Sequence, residues 1–311
     1  MATTKESHID RTANEPRDTT LHTLLITSIT QISPSIRIFT LTPDHPRCSI
    51  SFLPGQWVDL YYPPFPPDQK PGGFTITSSP SSPSSLSSST SVASNSVELA
   101  IKLPPPSSTP PSPPTLYLWR PSLTELLNTP VKVRIGGSFT FPPPTRALPG
   151  SSLLGPLKKV VFVAGGMGIN PLMSMLSYLS EQDPLKEHLD AEVLYGVKDP
   201  GLPEKVGEVL FLDRIAALFS RPRGGLRGGV KLFVTGMGSE DGEVSCNGYN
   251  VPVVRRRIEM DDIRQVIGQD KSETAVYICG PPKMTDEFVE VLTSAQGQRM
   301  DAERVLYEKW W

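Results

Sequence analysis

The sequence KVVFVAGGMGINPLMSMLSYL, residues 159–179, organises the second half of this chain. Residues 160–164 form an unbroken apolar run rich in β-branched side chains, which is typical of a strand buried on both faces of a parallel sheet. Three glycines follow within four positions, and residues 171–179 have the apolar spacing of a helix that starts with proline. A strand, a glycine turn and a helix in this order leave backbone N–H groups and the positive end of the helix dipole available to an anion.

The glycine turn has two interpretations. A side chain at Gly165, Gly166 or Gly168 would keep a diphosphate away from the backbone, so the turn predicts a dinucleotide site. A tight strand-to-helix turn also needs glycine for steric reasons alone, and that structural interpretation stays open for the motif taken by itself.

Strands and helices alternate after this turn, which predicts a doubly wound parallel sheet in a nucleotide-binding domain over residues 157–311. We predict strands at 191–197, 229–235, 274–282 and 304–308, helices at 211–219, 261–267 and 282–292, and a polar loop at 236–248. The carboxyl ends of parallel strands meet at one edge of the sheet. The segments that follow two of these strands, 165–170 and 279–282, can therefore face one crevice.

The first half of the chain has the period-two alternation of short antiparallel strands. We predict strands at 24–29, 36–41, 57–60, 73–77, 97–102 and 131–135. Five or six such strands indicate a small barrel or sandwich, placed in a domain over residues 21–156. Residues 78–96 and 104–114 are Ser/Pro-rich insertions predicted to be mobile loops, and residues 142–156 are predicted to be the linker.

Composition excludes several classes of function. The 311 residues suffice for two domains, and a net charge of −2 provides no basic field for nucleic acid or an anionic membrane. No apolar run approaches the ~20 residues of a membrane span. Cys48, Cys246 and Cys279 lack metal-ligand spacing and indicate a reducing compartment. Residues 1–20 mix both charges without an apolar core, which predicts a disordered tail rather than a secretory or mitochondrial leader.

Several motifs in order resemble the ferredoxin-NADP reductase superfamily. They are PGQWV at 54–58, GGMGINP at 165–171 and CGPPKM at 279–284. GGFTITSSP at 72–80, VRIGGSF at 133–139 and YEKWW at 307–311 further resemble the oxidoreductase NAD-binding domain-containing protein 1 group. The resemblance implies an antiparallel flavin barrel followed by a pyridine-nucleotide domain. It also implies an association with mitochondria, although the N-terminus does not decide between a mitochondrial and a cytoplasmic location.

The resemblance implies roles for individual residues. Those expected to bind the dinucleotide are Gly165, Gly166, Met167, Gly168, Ile169, Asn170, Pro171, Gly280, Pro281, Pro282 and Met284. Cys279 is expected beside the nicotinamide, Glu308 near flavin N5, and Trp311 on the flavin face. The alternatives are a small buried residue for Cys279, an exposed charge for Glu308 and plain packing for Trp311.

The flavin motif departs from the family pattern. The family's Arg-x-Tyr-Ser/Thr aligns with residues 72–75, so the arginine that pairs with the flavin phosphate is absent. Phe74 keeps an aromatic face and Thr75 keeps a hydroxyl. Losing one charge-assisted hydrogen bond costs about 1.5–3 kcal/mol, which makes FAD probable but weakly bound. Ser122 could be a second phosphate anchor at a helix start, with Arg120 as the cation, or it could be an ordinary N-cap.

NAD is favoured over NADP, because Val234 and Thr235 lead into Gly236 without the Ser-Arg pair that the family uses for a 2′-phosphate. Met167 replaces the family's threonine in the turn, but the backbone N–H groups that bind the diphosphate remain. Lys198 could still contact a 2′-phosphate. The run Arg255-Arg256-Arg257 is interpreted as a solvated group of charges.

The sequence therefore predicts an NAD(P)H-dependent oxidoreductase that passes hydride from nicotinamide C4 to flavin N5 and then electrons to an unknown, separate acceptor. No cysteine cluster for an iron–sulfur centre is present, so the acceptor is not built into the chain. One alternative is an NAD-binding module with a degenerate flavin site. The other is an interaction scaffold whose functional parts are the Ser/Pro-rich insertions. The oligomeric state is not predicted.

Overall fold

The chain forms two compact units, residues 1–140 and 141–311. A computed structural model describes residues 7–45, 48–80, 96–104, 112–143, 157–182, 188–221, 224–236, 238 and 240–309. The sequence places the domain boundary at residue 156, at the end of a segment outside the described residues, so that boundary stays a prediction. The predictions of mobile loops at 81–95 and 105–111 also lie outside the described part of the chain.

The first unit is a closed antiparallel barrel. Its strands are β1 (His22–Ser33), β2 (Ile36–Pro43), β3 (Trp57–Tyr61), β4 (Gly72–Thr75), β5 (Val97–Lys102) and β6 (Pro130–Gly136), with short helices α1 (His8–Arg11) and α2 (Pro113–Leu118). The strand order is β4-β3-β6-β1-β2-β5, and a bridge between Ile76 and Leu99 joins the two edges. The predicted antiparallel barrel is confirmed.

Strand alternation separates the two faces of this barrel. Val58 and Leu60 of β3 point into the fully buried core, together with Leu24 and Phe39 of the neighbouring strands. The alternate residues of β3 therefore point outward. One of these is Asp59, which is nevertheless fully buried, so another part of the chain must cover the outer face.

The cover is the N-terminal segment, and the prediction of a disordered tail is wrong for residues 7–20. Ser7 and Asp10 form a reciprocal capping box on α1. Arg17 forms a backbone bridge with Gly136, and the Glu15 carboxylate accepts hydrogen bonds from the Ser138 N–H and hydroxyl at 3.0 and 2.6 Å. The segment is ordered because its charged side chains find partners on the barrel.

Two local predictions in the first unit are also wrong. The loop predicted at 104–114 ends too late, because residues 113–118 form α2. Ser112 lies at its N-cap position, and proline lies in its first turn. Residues 122–127, predicted to begin a helix at Ser122, form hydrogen-bonded turns instead, in which the Leu126 N–H donates to the Leu123 carbonyl. The helix lies about ten residues earlier in the chain because Ser-Pro-Pro is the stronger start signal.

The second unit is a mixed sheet with helices. Its strands are β7 (Lys159–Gly165), β8 (Asp190–Lys198), β9 (Arg227–Thr235), β10 (Gly242–Cys246), β11 (Tyr249–Val254), β12 (Thr274–Gly280) and β13 (Val305–Lys309), and its helices are α3 (Ile169–Glu181), α4 (Leu212–Ser220), α5 (Met260–Ile267) and α6 (Pro282–Thr293). The order is β10-β11-β9-β8-β7-β12-β13, and only β10 and β11 pair antiparallel. The predicted nucleotide-binding type of sheet is confirmed. Among the described helices, none combines the length and the apolar character that crossing a membrane requires.

The loop predicted at 236–248 contains a strand that the sequence analysis missed. β10 and β11 form a hairpin whose turn is Asn247-Gly248, and both turn residues have positive φ, at 51° and 77°. Asn-Gly with both residues at positive φ is the preferred two-residue hairpin turn. This dipeptide was the available signal, and β11 extends the parallel sheet beside β9.

Candidate functional site

The turn after β7 has the form expected of an anion-binding loop. A single 3₁₀ turn, Gly166–Gly168, joins β7 directly to α3. Ile169 and Pro171 are buried in the core of the unit, whereas Gly166 is exposed and Met167 is half-buried. Gly166 has φ +56°, and a Cβ added there would meet no atom within 4 Å. The backbone at Gly166, just before α3 begins, is therefore open to a ligand.

This turn interlocks with the turn after β12. A Cβ on Gly168 would lie 2.0 Å from the carbonyl oxygen of Cys279, and one on Gly165 would lie 2.8 Å from Cδ of Pro281. A Cβ added to Gly280 would also be too close to a neighbour, at 2.5 Å from Cε of Met284. The two turns, predicted to face one crevice, are thus in direct contact at the carboxyl ends of adjacent strands β7 and β12.

The strand order reverses at these two strands. From β7 the chain continues outward through β8 and β9, and it then returns to the other side of β7 as β12 and β13. Open α/β sheets bind their ligands outside the carboxyl ends of the strands at such a reversal. The glycine turn therefore occupies the position in this unit where a dinucleotide is expected.

Cys279, the residue before the last of β12, has no exposed surface and lies opposite Glu308 of β13. Burial raises the pKa of the Cys279 thiol well above its usual value, and the negative charge of Glu308 raises it further. The thiol is consequently neutral and cannot act as a nucleophile or a base at neutral pH. What Cys279 supplies is shape, because its carbonyl closes against Gly168.

The remaining predicted dinucleotide residues surround these two turns. Asn170 lies in the first turn of α3 with 6% of its surface exposed, and Pro282 is the first residue of α6. Glu308 is half-buried on β13. Trp311 lies outside the described residues, so its predicted place on a flavin ring stays a prediction.

The flavin motif of the first unit is packed differently on its two faces. Phe74 points into the barrel core and is only 8% exposed, in the same cluster as Tyr117 of α2. A Cβ on Gly72 would lie 2.7 Å from the Phe74 ring and 2.8 Å from Cβ of Pro114. Position 72 therefore has no room for an arginine, and the family's phosphate anchor cannot be restored there without moving α2.

The opposite face of β4 carries Gly73 and Thr75. Thr75 is 1% exposed, and its hydroxyl has no hydrogen-bond partner among the residues that the structure describes. A buried hydroxyl without a partner costs about 1–3 kcal/mol, which a bound ligand can recover. Thr75 thus retains the hydroxyl that the flavin motif predicts, whereas position 72 has no room for the arginine of that motif.

The resemblance implies a helix start near the flavin phosphate, and the helix start that lies beside Gly72 here is that of α2. Pro114 contacts Gly72, and the hydroxyls of Ser112 and Thr115 lie 3.0 Å apart at the start of α2. The Ser122 hydroxyl lies 3.0 Å from the hydroxyl of Thr124 instead. Arg120 stacks 4.2 Å above the Tyr117 ring. The geometry favours α2 over the segment that begins at Ser122.

Asp59 gathers three basic residues that sequence analysis did not connect. Its carboxylate lies 3.0 Å from Nε2 of His8, 3.1 Å from Nε of Arg17 and 2.6 Å from Nη2 of Arg134. The His8 ring lies on Gly73, where a Cβ would be 2.1 Å from the ring. Burial alone would raise the pKa of Asp59, but the hydrogen bonds from His8 and Arg134 and the charge of Arg17 outweigh it and lower the pKa.

Arg256 and Arg257 are exposed, as the prediction of a solvated group requires, whereas Arg255 is largely buried and paired. Arg255 Nη1 donates to Asp199 Oδ2 at 2.6 Å. Arg256 donates two hydrogen bonds to the Asp262 carboxylate at 2.6 and 2.8 Å. No sequence pattern links Arg255 to Asp199, which lies more than fifty positions away, and only the fold brings them together.

Known proteins are similar to this chain over both units. No protein-family model matches the chain. The chain is 30% identical over 319 residues to oxidoreductase NAD-binding domain-containing protein 1 of Bos taurus, covering 99% of this chain and 86% of that protein. It is 31% identical over 314 residues to the Homo sapiens protein of the same name, covering 99% and 85%. A Neisseria gonorrhoeae ferredoxin NADP+ reductase, solved with FAD and NADP, matches with a TM-score of 0.63 at 16% identity, covering 94% of this chain and 100% of that one, which shows a shared fold.

Proposed function

This chain belongs to the oxidoreductase NAD-binding domain-containing protein 1 family, and from that membership we propose that it is an NAD(P)H-dependent oxidoreductase that uses a flavin to pass electrons to a separate acceptor. The observation that carries the proposal is the contact between the glycine turn after β7 and the Cys279–Met284 turn after β12. This contact fixes the turn, and the exposed backbone of Gly166 in that turn stays open to a ligand.

The second unit provides binding and orientation. The N–H groups around Gly166 and Met167, with the positive end of α3, would bind the diphosphate. The Gly280-Pro281 backbone, fixed by the contacts with Gly165, would orient the nicotinamide. Because burial raises the pKa of the Cys279 thiol, we expect Cys279 to make no covalent bond to the substrate.

The first unit would hold the flavin through β4. A flavin, when bound, supplies a two-electron acceptor for hydride and a donor for the next carrier. The Thr75 hydroxyl would bond the ring edge, and the start of α2 would face the phosphate end. Since position 72 cannot hold the family's arginine, we expect the flavin to bind reversibly and to be lost during purification.

The test is an anaerobic NADH titration of the flavin-loaded chain, with the flavin absorbance recorded. Loss of the oxidised flavin band in a one-to-one ratio to NADH is the expected result. Bands that persist with excess NADH would contradict the proposal. A parallel titration of flavin-free protein by NADH fluorescence measures nucleotide binding alone.

A matched pair of variants assigns binding to the glycine turn. Gly166→Asp and Gly166→Asn both suit the positive φ of this exposed position and have the same shape. Only the aspartate adds a negative charge where the diphosphate would bind. We expect NADH affinity to fall at least tenfold more in the aspartate variant, and equal affinities would place the nucleotide elsewhere.

One observation supports a second candidate, an NAD-binding module that no longer uses flavin. The Phe74 ring is buried in the barrel core instead of being available for stacking, and Pro114 and this ring fill the space next to Gly72. Soaking with FAD and FMN distinguishes the candidates. A chain that binds NADH but retains neither flavin at micromolar concentrations would be such a module.

A further inference from the structure

A second feature lies at the carboxyl edge of the same sheet, farther from the glycine turn. Asp199 follows the last residue of β8 and Arg255 follows the last residue of β11, on the two sides of β9. Their side chains meet as an ion pair with Nη1–Oδ2 at 2.6 Å. Only 10% of the Asp199 side chain and 16% of the Arg255 side chain are exposed.

Two glycines just after β9 leave the space in which the side chains of this pair meet. Gly236 has φ +132°, and a Cβ there would lie 3.4 Å from Cβ of Asp199. Gly238 has φ +109°, and a Cβ there would lie 2.6 Å from Nη1 of Arg255. The segment after β9 carries no arginine in sequence, but in space it receives the guanidinium of Arg255 from the added β10–β11 hairpin.

Both carboxylate oxygens of Asp199 accept hydrogen bonds in this arrangement. One carboxylate oxygen accepts hydrogen bonds from the N–H groups of Gly201 and Leu202, both at 2.9 Å, and the other accepts from Arg255. Burial raises the pKa of Asp199, yet the bonds from Leu202, Gly201 and Arg255 outweigh burial and lower it. Arg255 also donates Nε–H to the Glu240 carbonyl at 3.1 Å, which fixes its position independently of Asp199.

The position of the pair relates it to the dinucleotide site, a step that rests on the proposed function. Gly196 of β8 lies opposite Gly165, and Lys198 lies opposite Thr235 of β9. Two strand spacings, roughly 10 Å, separate β7 from β9. With its diphosphate on the glycine turn, a dinucleotide of this fold extends its adenosine ribose over the ends of the next strands, where an acidic or a basic side chain meets the 2′ position.

We propose that Asp199 and Arg255 together select the unphosphorylated dinucleotide, with the Asp199 carboxylate occupying the site on Arg255 that a 2′-phosphate would otherwise take. A 2′-phosphate approaching Arg255 meets a carboxylate that is already bonded there. The ribose hydroxyl of NADH carries no charge and is not repelled. Removing the carboxylate leaves the guanidinium held by Glu240 and able to pair with the 2′-phosphate of NADPH.

The experiment compares the Kd of NADH and NADPH at fixed ionic strength, by nucleotide fluorescence with the full chain. In the unmodified chain NADH should bind at least tenfold more tightly than NADPH. Asp199→Asn should lower the ratio of the NADPH Kd to the NADH Kd at least tenfold. The double variant Asp199→Asn/Arg255→Leu should lose that gain.

Asp241→Asn is the matched control, because Asp241 accepts the backbone N–H of Arg255 at 2.7 Å, a bond to the main chain and not to the guanidinium. It removes the same charge nearby and should leave the ratio unchanged. If Asp241→Asn shifted the ratio as much as Asp199→Asn does, the effect would come from net charge alone, and the proposal would be overturned.

Arg255→Leu alone provides a second criterion if Asp199→Asn fails to fold. With Asp199 uncovered, NADPH should bind more weakly than to the unmodified chain while NADH affinity stays within twofold. Tighter NADPH binding would overturn the proposal, as would an unchanged ratio in a folded Asp199→Asn variant. If the unmodified chain binds neither nucleotide, the proposed function fails, and this inference fails with it.

Discussion

His8 Nε2 lies 3.0 Å from Oδ1 of Asp59, and this contact fastens the N-terminal segment to the outer face of the barrel. Arg17, from the same segment, approaches the other oxygen of that carboxylate, which Arg134 of β6 also contacts. A fully buried carboxylate with basic partners from two parts of the chain makes residues 7–20 a structural part of the first unit.

We predict that Asp59→Ala lowers the free energy of unfolding of the first unit by about 3–5 kcal/mol, because it leaves Arg17 and Arg134 without their buried counter-ion. Urea unfolding of the full chain measures the loss. Asp68→Asn is the control, since Asp68 is exposed, and it should change the value by less than about 0.5 kcal/mol. Equal losses in the two variants would show that the Asp59 cluster does not hold the segment.

Stability on the acid side should depend on Asp59. Its pKa in the folded chain is lowered below the unfolded value of about 3.9. The associated stability is therefore complete above that value and is lost as pH falls through the lower, folded pKa. Unfolding midpoints measured from pH 7 down to pH 2 should fall more steeply for the unmodified chain than for Asp59→Asn, and parallel curves would contradict this assignment.

Local patterns predicted most of the fold because each element satisfies its own rule. Alternation at 97–102 gives β5 with the bounds that the structure has, and the apolar run before Gly165 becomes the central β7. Both patterns depend only on neighbouring residues. The contact between the turns after β7 and β12 was also foreseeable, because the carboxyl ends of adjacent parallel strands must meet.

The missed features of the site are mainly contacts between distant residues. Nothing near His8 in sequence indicates that Asp59 will be its partner. Gly73 is the unspecified position of the flavin motif, and only the fold brings the ring of His8 onto it. Arg255 likewise reaches Asp199 only because a hairpin adds β11 to the sheet. Charge pairs of this kind follow from topology, so single-sequence patterns cannot assign them.

The Gly168 position should tolerate no side chain. We predict that Gly168→Ala lowers the thermal midpoint of the second unit strongly and abolishes NADH binding, because its Cβ would lie 2.0 Å from the Cys279 carbonyl oxygen. Gly207→Ala is the matched control, with no atom within 4 Å of its Cβ position. Scanning calorimetry measures the thermal midpoint, and NADH fluorescence measures nucleotide binding. A Gly168→Ala chain that binds NADH normally would show that the two turns need not interlock.

The three cysteines should differ sharply in reactivity. Cys48 is exposed, whereas Cys246 and Cys279 are buried. Burial, followed by the charge of Asp213, raises the pKa of Cys246 to about 11, and the pKa of Cys279 is raised well above its usual value. Mass spectrometry after N-ethylmaleimide treatment at pH 7 should find one modified residue, Cys48, and three after unfolding. Rapid native modification of Cys279 would contradict its closed packing.

Thr75 and Thr77 provide a paired test of the flavin strand. Thr77 donates its hydroxyl hydrogen bond within the barrel, to Glu98 Oε1 at 2.8 Å, whereas the Thr75 hydroxyl has no partner among the described residues. Thr77→Val should therefore cost about 1 kcal/mol of stability. Thr75→Val breaks no described bond and should leave stability unchanged or raise it.

The two variants should show the opposite order in flavin binding. Thr75→Val should weaken flavin binding about three- to tenfold, as expected for losing one hydrogen bond to the ring edge, while Thr77→Val keeps the affinity of the unmodified chain. Flavin fluorescence quenching measures the Kd, and urea unfolding of the flavin-free chains measures stability. If Thr75→Val binds flavin as tightly as the unmodified chain, its buried hydroxyl does not contact the ring, and β4 loses its role in holding the flavin.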